Sequence, residues 1–381
     1  MPVPPRLVIA AAFLAACVVG LALAVRMPLG IGLLVAFCYV PLVLLNLPLG
    51  LALWVVLVFV ERVPAVSIGP TAAALLIAFA WLGAVATGPG SRLHVLRRHR
   101  VLAAAAAALL VWLTLSLAWS EDVGLSAEKA WQWYAAVLLL AIVATTVSTP
   151  RQLRLILAAF LVGALVSVAA GVVGAQPPPD PEQIGDPSGR LGGSYGDPNY
   201  LAAGVVPAIA LAMALLVVAR GALVRLGLVV AVAVLAVALA ATESRGGWIA
   251  AVVAVAGALA LLRGRRLQVA LVVTVVVSLA GVVVANSPTA WERIVNPGGG
   301  AGRVELWEVA WRITEDHPLA GVGLNNFRVF SPRYVRQPGT LEEVALIVDR
   351  PLVVHNVYLE LLAENGAIGL LAFLALAGAS L

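Results

Sequence analysis

Charge is what this chain has least of. Asp, Glu, Lys and Arg make up 11% of its 381 residues, where a soluble domain carries roughly a quarter, and that deficit excludes an ordinary water-soluble enzyme. Lysine is nearly absent, Lys129 standing alone among 24 basic residues. The two cysteines, Cys17 and Cys38, both fall in apolar runs, which excludes a disulfide framework and a thiolate metal cluster. The four histidines, His94, His99, His317 and His355, are scattered, and no D-x-D acidic pair occurs. No metal-ligand spacing exists, and neither a metal nor a cofactor is expected.

What is present is apolar length. Hydrophobic residues make up 62% of the chain and the mean hydropathy is +1.04. Runs long enough to span a bilayer, or nearly so, lie at 6–25, 29–46, 48–60, 70–88, 101–119, 132–148, 152–174, 199–219, 223–241, 246–262, 268–285 and 356–381. The expected fold is all-α, a polytopic membrane helix bundle of about twelve spans with a long extracytoplasmic loop before the last helix. Residues 1–285 form the bundle in this reading, 286–355 the loop or cap, and 356–381 the last span. The third run is the weakest, short and begun by Pro48; a re-entrant third run would invert the first two helices. The first run lacks a cleavage site and more spans follow at once, so it reads as a helix and not a signal peptide.

Arginine sets the orientation. Arg6 and the connections at 89–100, 149–154, 220–225 and 263–266 hold twelve basic residues and no Asp or Glu, and they alternate with acidic or mixed connections. They are therefore expected in the cytoplasm. This placement accounts for the net charge of +5 without a nucleic-acid partner. Both ends of the chain then face the cytoplasm, and the last helix reaches Leu381 with no polar stop, leaving room for further spans.

The outer connections carry the unusual residues. Residues 175–198 open with Gln176-Pro177-Pro178-Pro179, which favours polyproline II, and close in a glycine-rich stretch around Arg190. Arg190 reads either as a solvated charge or as part of a site. Asp197-Pro198-Asn199 has the form of a turn and helix cap. Arg245, followed by Gly246-Gly247, starts a helix and reads either as a phosphate ligand beside uncovered N–H groups or as an interfacial arginine. In the long loop, Arg303 to Trp311 has the pattern of an amphipathic helix with interfacial tryptophans. Gly321-Val322-Gly323 lacks the third glycine of a dinucleotide fingerprint.

His355 and Asn356 come where this polar segment meets the last helix. Asn356 is a good N-cap, and the partial positive charge of a helix N-terminus disfavours an imidazolium, which suits a general base. The alternative is an interfacial histidine with no role. Gly366 and Gly369 lie about 15–20 Å further along the axis, where a small-x-x-small face would let another helix pack closely. Glu360 and Glu364, one turn apart in that helix, need partners or a function; they could hold arginines or pass protons, and structural pairing is the expected role.

These motifs together resemble the O-antigen ligase and polymerase superfamily of bacterial inner-membrane glycosyltransferases. In its ligases the last outer loop ends in His, then Asn, Ser or Gln, nine residues, and G-x-x-G. Here His355 and Asn356 are followed by Val357 to Asn365 and Gly366-Ala367-Ile368-Gly369. Arg190 with Asp197-Pro198-Asn199-Tyr200-Leu201-Ala202 is similar to the family's arginine loop and helix start, Ser244-Arg245-Gly246-Gly247 to its second arginine motif, and Pro318 to Gly323 with Asn326-Phe327 is shared as well. The resemblance covers about half the chain, residues 190–370, and the family commonly continues with further spans where this chain stops.

The resemblance implies a multi-pass inner-membrane enzyme of cell-envelope polysaccharide or lipopolysaccharide biosynthesis, with its active site on the extracytoplasmic face. Its donor would be a glycan on undecaprenyl pyrophosphate and its acceptor a glycan or glycolipid hydroxyl, in contact with the lipid bilayer. Arg190 and Arg245 would clamp the pyrophosphate and His355 would take the acceptor's proton, these three being the catalytic set. Arg303, as a third cation, with Asn356 and Asn199, would bind substrate. Metal-free displacement with inversion is implied. The alternatives are a chain-extending polymerase, transfer to a protein hydroxyl and, from another class, a lipid-linked glycan transporter or flippase, against which the gathering of these residues at one face argues.

Overall fold

The computed structural model describes residues 27–63, 69–87, 99–175, 189–261, 281, 285, 303–335 and 353–380. The apolar runs expected at 6–25 and 268–285 lie outside or almost outside the described residues, as do most of the basic connections at 89–100 and 263–266. Among the described residues, six helices are long and apolar enough to cross a membrane: Gly69–Thr87, Arg100–Ala118, Pro150–Val172, Pro198–Val218, Ala222–Ala241 and Val357–Ser380. This is the build of a multi-pass membrane protein. The chain divides into two compact units, one of residues 1–86 and 147–292, the other of 87–146 and 293–381.

The first unit contains α1 (Met27–Leu45), α2 (Leu47–Val58), α3 (Gly69–Thr87), α6 (Pro150–Val172), α7 (Pro198–Val218), α8 (Ala222–Ala241) and α9 (Arg245–Leu261). The helices α1 and α2 fold back on each other at Asn46. The Tyr39 hydroxyl donates to the Gly50 carbonyl at 2.9 Å, although in one continuous helix these residues would stand about 16 Å apart. Gly50 permits the fold, since a Cβ there would meet Val43 at 2.6 Å. With 12 residues, α2 reaches only about 18 Å of a roughly 30 Å hydrocarbon core. This is why the third apolar run reads weakly.

The core of this unit is small-residue packing. Leu201, Ala202, Val205, Ala208, Ile209 and Ala212 form one stripe along α7 and are buried against Val232, Leu235, Ala236 and Leu239 of α8. Alanine on both faces lets the backbones approach, which supplies van der Waals contact where lipid offers no hydrophobic contrast. A single-turn helix at Gly193–Tyr195 is packed onto the end of α6: a Cβ on Gly171 would lie 2.6 Å from the Gly193 Cα. The Ser167 and Ser194 hydroxyls share a hydrogen bond of 2.8 Å, and Ser194 also donates to the Phe59 carbonyl. Beside them, burial, and then the Glu61 carboxylate, push the Tyr195 phenol above its ordinary range. Tyr195 therefore keeps its proton for the Val58 carbonyl, 3.0 Å away.

The second unit contains α4 (Arg100–Leu115), α5 (Val123–Thr146), α10 (Arg303–Asp316), α11 (Phe327–Val335) and α12 (Val357–Ser380). The amphipathic pattern is realised in α10, where Leu306, Val309, Ala310 and Ile313 are buried on one face and Trp311 is exposed on the other. The last helix departs from expectation. Gly366 has φ 65 and ψ −172, so α12 is two helical pieces joined across a kink, and this glycine turns the chain instead of offering a flat packing face. The loop Pro318 to Asn326 fills the break. Val322 and Gly323 donate to the carbonyls of Ala363 and Glu364 at 3.1 and 2.8 Å, while Ala367 donates to Pro318 at 2.9 Å. Trp112 of α4 donates its indole N–H to Asn365 at 2.9 Å.

Glu364 completes this junction. Its carboxylate accepts from the backbone N–H of Asn325 at 2.8 Å and of Phe327 at 3.1 Å, so the structural pairing expected of it is made with main chain and not with arginine. Asn326, fully buried, donates to Ser126 Oγ at 2.8 Å and accepts from Asp122 N at 2.9 Å, tying the loop to the start of α5. Substituting Gly366 by Ala should cost about 3 kcal/mol or more. The backbone there lies in a region open almost only to glycine, and the new Cβ would fall within 2.5 Å of Ala320 N. A melting temperature in detergent equal to that of the unsubstituted protein would refute this account of the kink.

Candidate functional site

Among the described residues, four helices begin after a left-handed turn. A residue with left-handed backbone is followed by a polar side chain at the cap: Gly196 (φ 74) then Asp197 before α7, Glu243 (φ 51) then Ser244 before α9, Asn325 (φ 59) then Asn326 before α11, and His355 (φ 55) then Asn356 before α12. The sharp turn delivers the chain into the helix, and at Asp197, Ser244 and Asn356 the cap side chain supplies an oxygen to N–H groups that have no partner within the helix; at the third start Glu364 does so for Phe327 N, while Asn326 Oδ1 accepts from Asp122 N. Glycine and asparagine adopt the left-handed form readily; glutamate and histidine pay of order 1 kcal/mol for it. Three of the four starts carry the candidate residues.

In the first unit these starts converge. The Asp197 carboxylate accepts from Asn199 N at 2.7 Å and Tyr200 N at 3.2 Å. Ser244 Oγ accepts from Gly247 N at 3.2 Å and donates to Asn199 Oδ1 at 2.8 Å, so one hydroxyl caps α9 and binds it to the first turn of α7. Gly247 makes the approach possible, since a Cβ there would stand 2.8 Å from the Ala202 Cβ. The Arg190 strand is fastened to the same connection: Leu191 N donates to the Ala241 carbonyl at 2.9 Å and Arg190 Nε to the Thr242 carbonyl at 2.8 Å. The structure thus gathers Arg190, Asn199 and Arg245 around two helix N-termini. Arg190 is half-buried and Arg245 exposed.

Arg190 also borders a groove of about 790 Å³. Its walls are the apolar side chains of Val168 and Val172 from α6 and of Val234 and Val237 from α8, and Gly189 to Gly192 close one end. A guanidinium bordering an apolar trough suits an anion carrying a long apolar tail.

His355, Asn356 and Arg303 belong to the second unit. Asn356 Oδ1 accepts from Tyr358 N at 3.1 Å and Leu359 N at 3.3 Å, which makes it the cap that the sequence suggests. Val354 is buried and its carbonyl accepts from the Trp307 indole at 3.1 Å, so α10 anchors the residue before His355 while His355 itself is exposed. Arg303 is the first residue of α10.

Residues 230–374 match the family described as O-antigen ligase. Over this segment the chain is similar to the O-antigen ligase family. The segment contains Ser244 to Gly247, the Pro318 to Phe327 loop and His355 to Gly369, whereas Arg190 and Asn199 precede it. No curated protein matched the chain. Sequence reading overlooks Ser244 as the tie between α7 and α9, Trp112 as a support of the α12 break, the main-chain partners of Glu364, and the left-handed Glu243. Ser244, Trp112 and Glu364 are ordinary residue types whose partners lie 45, 253 and 37–39 positions away, and no local pattern announces them. Replacing Asn356 by Ala should cost about 1 kcal/mol through loss of the cap, with Asp in its place restoring most of it. Equal unfolding midpoints for the Ala and Asp variants would contradict the capping role.

Proposed function

We propose that this protein is a ligase-type glycosyltransferase of the bacterial inner membrane. It moves a glycan from undecaprenyl pyrophosphate to an acceptor hydroxyl on the extracytoplasmic side, without a metal and with inversion. The acceptor oxygen attacks the anomeric carbon opposite the leaving group. The bond from that carbon to the pyrophosphate oxygen breaks with its electron pair going to the oxygen, and the acceptor's proton passes to the His355 imidazole. Arg190 and Arg245 hold the pyrophosphate and take up the charge that grows on it as the bond opens. Arg303, at the first turn of α10, is the third cation for the donor, and Asn199 and Asn356 present their amide N–H groups to substrate.

One observation carries this reading: Arg190 Nε donates to the Thr242 carbonyl and Leu191 N to the Ala241 carbonyl, which fastens the Arg190 segment to the connection that leads into Arg245. Arg190 borders the apolar groove, and Arg245, 55 positions further on, opens the helix that follows that connection. A polyprenyl pyrophosphate has the matching chemistry, with two phosphates for the guanidinium groups and a hydrocarbon tail for the valine walls. The family similarity supports the same class of lipid-linked glycan and acceptor.

The test uses purified protein, an undecaprenyl-pyrophosphate-linked oligosaccharide, a panel of acceptors and a chelator. His355→Gly removes the imidazole while relaxing the left-handed backbone, so it is a cleaner variant than His355→Ala. Transfer should fall by about 10²–10⁴ in that variant with donor binding kept. Arg190→Ala and Arg245→Ala should lose about 10²–10³ in transfer and bind donor more weakly. Full transfer by the His355 variant, or unchanged donor binding by both arginine variants, would overturn the assignment.

A further inference from the structure

The end of the first unit away from Arg190 holds a second groove. It opens between α6, α7 and α8 with a volume of about 750 Å³, walled by Ala158, Val162, Leu215 and Leu228 and bordered by Arg154 and Arg220. Arg154 lies 17 positions before Gly171, which lines the first groove, so about 25 Å of helix separates the two. Neither arginine meets a carboxylate on these helices, because α6, α7 and α8 contain no Asp or Glu. Arg154 Nε donates to the Pro150 carbonyl at 3.2 Å, and the residue is exposed. Arg225 is turned to the Ala219 carbonyl at 2.9 Å, and α8 begins at Gly221 with no side-chain cap on its first N–H groups.

We infer that this groove binds an anionic membrane phospholipid, its phosphate between Arg154 and Arg220 and one acyl chain along the apolar walls. Charge complementarity and amphipathy choose this occupant. A soluble anion gains nothing from the valine and leucine walls, and a second helix brings no negative charge to two arginines. Basic pockets between membrane helices are recurrent sites for acidic lipid headgroups. The inference is independent of the transfer reaction and requires only that these helices lie in a bilayer.

Delipidated full-length protein in a neutral detergent, titrated with phosphatidylglycerol or phosphatidylcholine while its melting temperature is followed, tests this. Phosphatidylglycerol should stabilise at lower concentration than phosphatidylcholine. Arg154→Gln and Arg220→Gln should each weaken the effect by about fivefold. Val162→Phe, two turns along α6 from Arg154, narrows the trough and should weaken it as well. Arg151→Gln, on the same helix end but outside the groove, should leave it unchanged. Equal stabilisation by the two lipids, or equal losses in the Arg151 and Arg154 variants, would mean diffuse charge attraction and overturn the site. Stabilisation by inorganic phosphate alone, or by a polyprenyl phosphate in place of phosphatidylglycerol, would assign the groove to another anion.

Discussion

A bilayer interior offers no water, so a backbone N–H or C=O that leaves a helix must find its partner within the protein. The irregular pieces of this chain are built around that demand. Where α12 breaks at Gly366, the loop 318–326 and Trp112 take up the carbonyls and N–H groups that the break exposes. Where α9 starts, Thr242, Ser244 and Asn199 pass hydrogen bonds from one to the next, each donor with an acceptor. The polar side chains that do this work are few, and they are the same stretches that hold the candidate residues. Chemistry and backbone satisfaction share the little polarity the sequence has.

Much of this was open to sequence reading. The helices of the first unit announce themselves by apolar length, and Asp197, Asn356 and the amphipathic face of α10 follow from capping and period rules that act over three or four residues. The break in α12 was not legible, because Val357 to Ser380 has the composition of one continuous helix and only the distant loop 318–326 gives Gly366 a reason to turn. A glycine pair three apart reads as a packing face until the partner is known. Glu364 was expected to pair with something; that its partners are the N–H groups of Asn325 and Phe327 depends on a contact across 37–39 residues.

The repeated helix start gives the candidate site its character. A left-handed residue and a cap place the next side chain, or the left-handed one itself, at the mouth of a helix whose N–H groups face outward. Asp197 and Ser244 bring two such mouths together beside Arg190, and His355 occupies the strained position of a third. Retaining histidine and glutamate where glycine would fold more easily is a local cost, and such costs concentrate where side-chain chemistry is needed.

In this account a single displacement, with Arg190 and Arg245 on the leaving pyrophosphate and His355 on the incoming hydroxyl, performs the whole transfer. The most direct measurement is the anomeric configuration of the new linkage, read by NMR on product made from a donor of defined configuration. Inversion is the result the account predicts. Retention would require two displacements through a covalent glycosyl-enzyme, and would contradict the roles given to all three residues.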